Sequence, residues 1–172
     1  IDRAGDVRVL ANVVPGQQWM DTMLHELGHA TFDGGFDDSL PWLLRDTHLV
    51  VTEGIAILMG RLASDAEWLE RVAGVAAVEV AALSGALRAA RAAEMLVFTR
   101  FVLVMTNFER SLYADPESDL DARWWELVER YQLLTRPVGR SSPDWAAKIH
   151  IACAPVYYHT YLYGHIVASQ LA

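Results

Sequence analysis

The sequence predicts a mainly α fold, and three observations carry that reading. Turn signals are few, so they cut the chain into a small number of long pieces. Those pieces are rich in Ala, Leu, Val, Glu and Arg, most of which are good helix formers. Only Val7–Val14 has a composition suited to a strand. A hydrophobic fraction of 53% against 21% charged residues excludes disorder for the chain as a whole. Its 172 residues suffice for one domain with a sizeable core.

Pro15-Gly16 precedes a proline-free stretch, Gln17 to Phe32, whose mixed apolar periodicity predicts the first helix. Asp33 to Asp38 is a loop by composition, and Pro41 opens a short helical turn. Asp46 or Thr47 caps a second helix running to about Leu62. Ser64, with Glu67 three residues later, fits a capping box for the next helix. From there to Tyr113 the chain is helical, with Gly74 or Ser84-Gly85 breaking or packing the run, and Asp115-Pro116 ends it. Leu120 to Leu134 forms an amphipathic helix with Trp124, Leu127, Val128 and Tyr131 on one side. Arg136 to Pro143 is a loop, Asp144 caps a helix through Ile151, and the aromatic tail after Pro155 forms the last helix.

Charge and cysteine content exclude several functions. A formal charge of −8 speaks against a nucleic-acid binder that relies on a broad basic face. The single cysteine, Cys153, excludes an internal disulfide framework and a Cys-rich zinc site, and nothing cationic nearby activates it. The longest stretch without Asp, Glu, Lys or Arg, Ile149 to Ala172, contains three histidines, a proline and a glutamine, which makes a poor membrane span. A soluble chain with no membrane partner is expected, cytoplasmic in preference to secreted. No signal peptide is visible, although a chain beginning at Ile1 leaves room for a removed targeting segment.

One motif dominates: His25-Glu26-Leu27-Gly28-His29. Positions i and i+4 share a helix face, about 5–6 Å apart at Cβ. Two imidazoles there can both reach one Zn²⁺ at about 2.0–2.1 Å. Glu26 is close enough to address a metal-activated water as general base without itself being a ligand. Ordinary residue frequencies give a chance HExxH in roughly one chain of this length in a few hundred. The competing reading is a surface helix carrying two histidines. Met20, Met23, Leu24, Leu27 and Ala30 surround the motif with apolar residues, where polar side chains are costly without a metal or partners.

A catalytic zinc needs a third protein ligand and an open position. Glu53, twenty-four residues after His29, is the best candidate: it lies early in the second helix, which the glycine-rich loop allows to fold back on the first. Gly28 and Gly54 beside the proposed ligands permit close approach of the two backbones. Asp33, Asp37 and His48 are rivals, with Asp33 better suited to orienting His29 than to binding metal.

These residues resemble the angiotensin-converting-enzyme-like metallopeptidases, particularly their bacterial members. The matching pieces are Trp19 to Ala30, Leu40 to Arg45, and Thr52 to Ala56 continuing through Met59-Gly60-Arg61-Leu62. A second matching stretch runs Asp144 to His150, then Pro155 to Tyr158, Tyr161, and Ala168 to Leu171. The resemblance implies a helical zincin-type core in which the HExxH helix packs against the helix of the glutamate ligand. It implies His25, His29 and Glu53 as ligands, Glu26 as general base and acid, and zinc-dependent release of short peptides from the C-terminus of oligopeptides. It further implies that His150 and a tyrosine donate to the developing oxyanion. Tyr158 and Tyr161 have the family's spacing and are preferred. The interval from His150 is one residue longer than in the animal enzymes, so Tyr157 stays in reserve; His159 and His165 are expected to pack or face solvent.

This sequence also departs from the family. The animal enzymes carry an acidic residue four positions after the glutamate ligand, orienting a zinc histidine; here Ile57 stands there, so another residue must do that work. They also use an arginine between the two tyrosines for chloride activation, where this chain has His159-Thr160, and no such chloride site is expected. The chain is much shorter than the family's catalytic domains. It reads as a single helical catalytic core, or a fragment of a larger metallopeptidase domain, over residues 1–172. The alternative function is a helical interaction module that keeps zinc for stability or has lost turnover. Apolar helix faces exposed by truncation would then invite self-association.

Overall fold

The computed structural model describes residues 6–37, 39–45 and 47–172. Among them there are helices and no strand. Helix α1 spans Gln17–Gly34, and a 3₁₀ turn at Trp42–Leu44 follows Pro41 as expected. Helix α2, Leu49–Gly60, runs into a 3₁₀ turn at Arg61–Ser64, and α3 is Ala66–Arg71. Helix α4, Ala77–Ala114, is the longest; α5, Leu120–Leu127, α6, Ile149–Cys153, and α7, His159–Leu171, complete the set. No helix among the described residues is long and apolar enough to cross a membrane.

Several sequence expectations are corrected. Val7–Val14 is exposed irregular chain. Its β-branched residues suit a strand, but among the described residues no second strand supplies the ladder that a strand's backbone requires. The loop expected from Asp33 begins later: Asp33 and Gly34 still belong to α1, and the Gly35 N–H bonds the Phe32 carbonyl. His48 caps α2, its Nδ1 accepting from the Val50 N–H at 3.2 Å; Asp46 lies outside the described residues. Asp65, not Ser64, caps α3 by accepting from the Trp68 N–H at 2.8 Å. Gly74, at φ +72°, makes the turn before α4, whereas Ser84-Gly85 passes through α4 without a break. The helix expected over Leu120 to Leu134 is α only to Leu127 and continues as a π turn to Gln132. Asp144 opens a 3₁₀ turn, and its carboxylate is taken instead by Arg140 and by the Trp125 indole at 3.1 Å.

The chain divides into two compact units: residues 1–89 with 163–172, and residues 90–162. In the first, α1 and α2 pack against each other. Gly28 makes that approach possible, because a Cβ there would lie 2.7 Å from the Ala56 Cα. Gly54 serves a different contact from the one its position suggests: its missing Cβ makes room for Val167 of α7, 2.7 Å away, and not for α1. Arg61 ties the end of α2 to α7 by donating to the His165 carbonyl and the Ser169 hydroxyl, each at 2.9 Å. The second unit has an apolar centre of Val104, Met105, Phe108, Leu120, Trp124, Leu127 and Val128. The Trp124, Leu127 and Val128 side chains expected on one face of α5 are buried together there, with Tyr131 packed alongside.

Candidate metal centre

Helical periodicity places His25 and His29 one turn apart on α1, their rings nearly perpendicular with centroids 4.9 Å apart. Glu53 enters from the facing helix α2, one turn in from its start. Its Oε2 lies 3.4 Å from His25 Nε2 and its Oε1 lies 3.7 Å from His29 Nε2. Among the described residues these three are the group of His, Cys, Asp and Glu side chains that could hold a metal ion, with ligand atoms within 4.8 Å of one another.

The donor set fits zinc. Ligands at about 2.0–2.1 Å in tetrahedral directions stand about 3.3 Å from each other, close to the separations seen here. Burial argues the same way. Glu53 is only 1% exposed, and a buried carboxylate is costly unless cationic or donor groups face it. The two imidazole rings, at 22% and 24% side-chain exposure, leave one side of the cluster open to solvent. Behind Glu53 the α7 backbone closes the site: a Cβ on Gly164 would lie 3.0 Å from Glu53 Cβ.

Glu26, half-buried on α1, has no hydrogen bond or ion pair with another described residue. The rival ligands lie elsewhere. His48 is occupied as the cap of α2, Asp33 is exposed, and Asp37 turns back on its own loop. The Ser39 backbone N–H, 2.8 Å from Asp37 Oδ1, holds that carboxyl below the usual carboxylate range.

The sequence offers Asp33, one turn beyond His29, to orient that ring, but Asp33 is exposed and makes no hydrogen bond to His29. The structure puts the Thr52 hydroxyl 2.7 Å from His29 Nδ1. The only signal in the sequence was adjacency to Glu53; that the hydroxyl meets a ring on α1 is a tertiary fact.

In the second unit His150 of α6 meets Tyr161 of α7, with 3.1 Å between Nε2 and the hydroxyl oxygen. Tyr158 directs a ring edge at His150, centroids 4.9 Å apart, and packs perpendicular to Phe101 at 5.4 Å. Burial pushes its phenol above the ordinary tyrosine value. Tyr157 lies 5.3 Å from Tyr161 and 6.1 Å from His150 by ring centroids. Tyr161 is therefore the tyrosine hydrogen-bonded to His150, while Tyr158 shares the aromatic packing of the unit's centre.

Compared with known proteins, the whole chain, residues 1–172, matches the model of the peptidase M2 family, described as angiotensin-converting enzyme. No curated protein and no solved structure matches it.

Proposed function

Because this chain belongs to the angiotensin-converting-enzyme family of metallopeptidases, we propose that it is a zinc-dependent peptidase of carboxypeptidase or peptidyl-dipeptidase type. The observation that carries this reading is the convergence of His25, His29 and Glu53 from two facing helices. These three side chains would hold the ion. When bound, zinc supplies Lewis-acid polarisation of a peptide carbonyl and makes water acidic enough to be deprotonated near neutral pH.

Glu26 is the base in this scheme. It follows His25 directly, and its carboxylate is not engaged by another described residue. It takes the proton of the attacking water as the new C–O bond forms, then delivers it to the amide nitrogen as the C–N bond breaks. His150 and Tyr161 are donors of the right kind for the oxyanion that develops on the carbonyl oxygen. Tyr158 supports them through ring packing.

Zinc analysis and cleavage of an internally quenched oligopeptide test this together. Wild type is expected to carry about one zinc per chain and Glu53→Ala much less. Glu26→Gln is expected to keep zinc while cleavage falls by about 10²–10⁴. Unchanged cleavage by a zinc-loaded Glu26→Gln protein removes the assignment of the base. A wild type that takes up no zinc removes the metal centre.

A further inference from the structure

We propose that Thr52 is the positioning residue of His29, holding its ring so that Nε2 faces Glu53. The proposal rests on the reading of His25, His29 and Glu53 as metal ligands.

Thr52 and Glu53 are consecutive on α2, so their side chains leave the helix about 100° apart. Both nevertheless engage the same ring on α1. Thr52 Oγ1 is 2.7 Å from Nδ1, and Glu53 Oε1 is 3.7 Å from Nε2. An imidazole rotates about its last side-chain torsion in a broad, roughly two-fold well. Contacts at two separate nitrogens remove that freedom, because turning the ring over would put a carbon against the hydroxyl and aim Nδ1 away from Thr52. Ile57, one turn beyond Glu53, has no polar atom to offer, and its tip lies against Gly164.

A hydroxyl also suits two protonation patterns. With the proton on Nδ1, the ring donates to Thr52 Oγ1 and keeps the Nε2 lone pair for an ion. With the proton on Nε2 toward Glu53, the same hydroxyl rotates and donates to Nδ1. Thr52 thus holds one ring orientation whether or not the site is loaded.

The test is competitive zinc titration of the full chain against a chromophoric chelator, with zinc alone as the probe, for wild type, Thr52→Val and Thr52→Ser. Helical content is followed by circular dichroism. Thr52→Val removes the hydroxyl at nearly constant shape and is expected to weaken zinc binding about tenfold or more. Thr52→Ser restores the hydroxyl and is expected to bind like wild type. Equal affinity of Thr52→Val and wild type overturns the proposal. So does a Thr52→Ser as weak as Thr52→Val, because restoring the hydroxyl would then fail to restore binding. A wild type that binds no zinc overturns the metal centre itself, a different result from either. Nitrogen-15 spectra of the wild-type imidazoles give a readout independent of folding of the variants. Zinc-loaded His29 is expected to carry its proton on Nδ1, and a proton on Nε2 overturns the assignment.

Discussion

Glu109 is a buried acid outside the His25–His29–Glu53 cluster, at 8% exposure, and its hydrogen bonds explain why it is kept there. One oxygen accepts both the Tyr113 hydroxyl at 2.8 Å and the Val156 backbone N–H at 2.5 Å. Val156 sits at φ +56°, a left-handed conformation that costs a β-branched residue about 1–2 kcal/mol. It immediately precedes Tyr157 and Tyr158, so Glu109 anchors the turn that leads into α7. Glu109→Ala is expected to lose about 1–3 kcal/mol in urea denaturation, since it leaves the Val156 N–H without its acceptor. Glu109→Gln retains a carbonyl acceptor and should lose less, and Val156→Gly should gain stability by relieving the backbone. The same carboxylate raises the Tyr113 phenol above its ordinary value, chiefly by accepting its hydrogen bond. A folded value above the unfolded one means that this contribution is complete below pH of about 10 and is lost as pH rises through the folded value. Ultraviolet titration should therefore show Tyr113 ionising at lower pH in Glu109→Ala than in wild type. An unchanged Tyr113 titration would show that Glu109 does not hold it.

Helices α1, α2 and the end of α7 approach one another at glycines, and substitution there separates two effects that glycine usually mixes. Gly28→Ala puts a Cβ 2.7 Å from the Ala56 backbone, so the helices must shift. A cost of about 1–3 kcal/mol is expected, with weaker zinc binding because His29 and Glu53 sit on the two helices being pushed apart. Gly85→Ala lies within α4 and meets nothing within 4 Å. It should raise stability by about 0.5–1 kcal/mol through helix propensity alone. Thermal melts of both variants check the pair; similar shifts would mean that Gly28 has no packing role. Sequence made part of this legible. The His25–His29 spacing follows from helical periodicity, which is local, and Gly28 beside it marks where a facing helix can come close. The partners of Thr52 and Gly54 do not, because they depend on which helix arrives opposite. Gly54 was expected to admit α1 and instead admits Val167. Local capping chemistry was legible in kind but not in place: Asp65 is one residue beyond the Ser64 chosen for α3. Val7–Val14 fails for the opposite reason, since composition favours a strand but a strand exists only when paired.

Over the whole chain, the proposed metal ligands all belong to one compact unit, while the tryptophan-rich centre of the other contains none of them. An ion that binds the folded site and not the unfolded chain stabilises by mass action, by about 2.7 kcal/mol at one hundred times its dissociation constant. That stabilisation first reaches the openings that break the site, those that part α1 from α2 or carry Gly164 away from Glu53. Hydrogen exchange with and without zinc should therefore slow most in Gln17–Gly34, Leu49–Gly60 and residues 163–171. The buried segment of α4 around Val104 to Phe108, with α5, serves as the internal reference. Glu53→Ala should abolish the zinc-dependent slowing in α1 and α2 while leaving the reference segments as they were. If zinc slows α5 as much as α1, the two units open together and the site stabilises the chain as one cooperative body. If α1 and α2 do not respond, the ion is not held where His25, His29 and Glu53 converge.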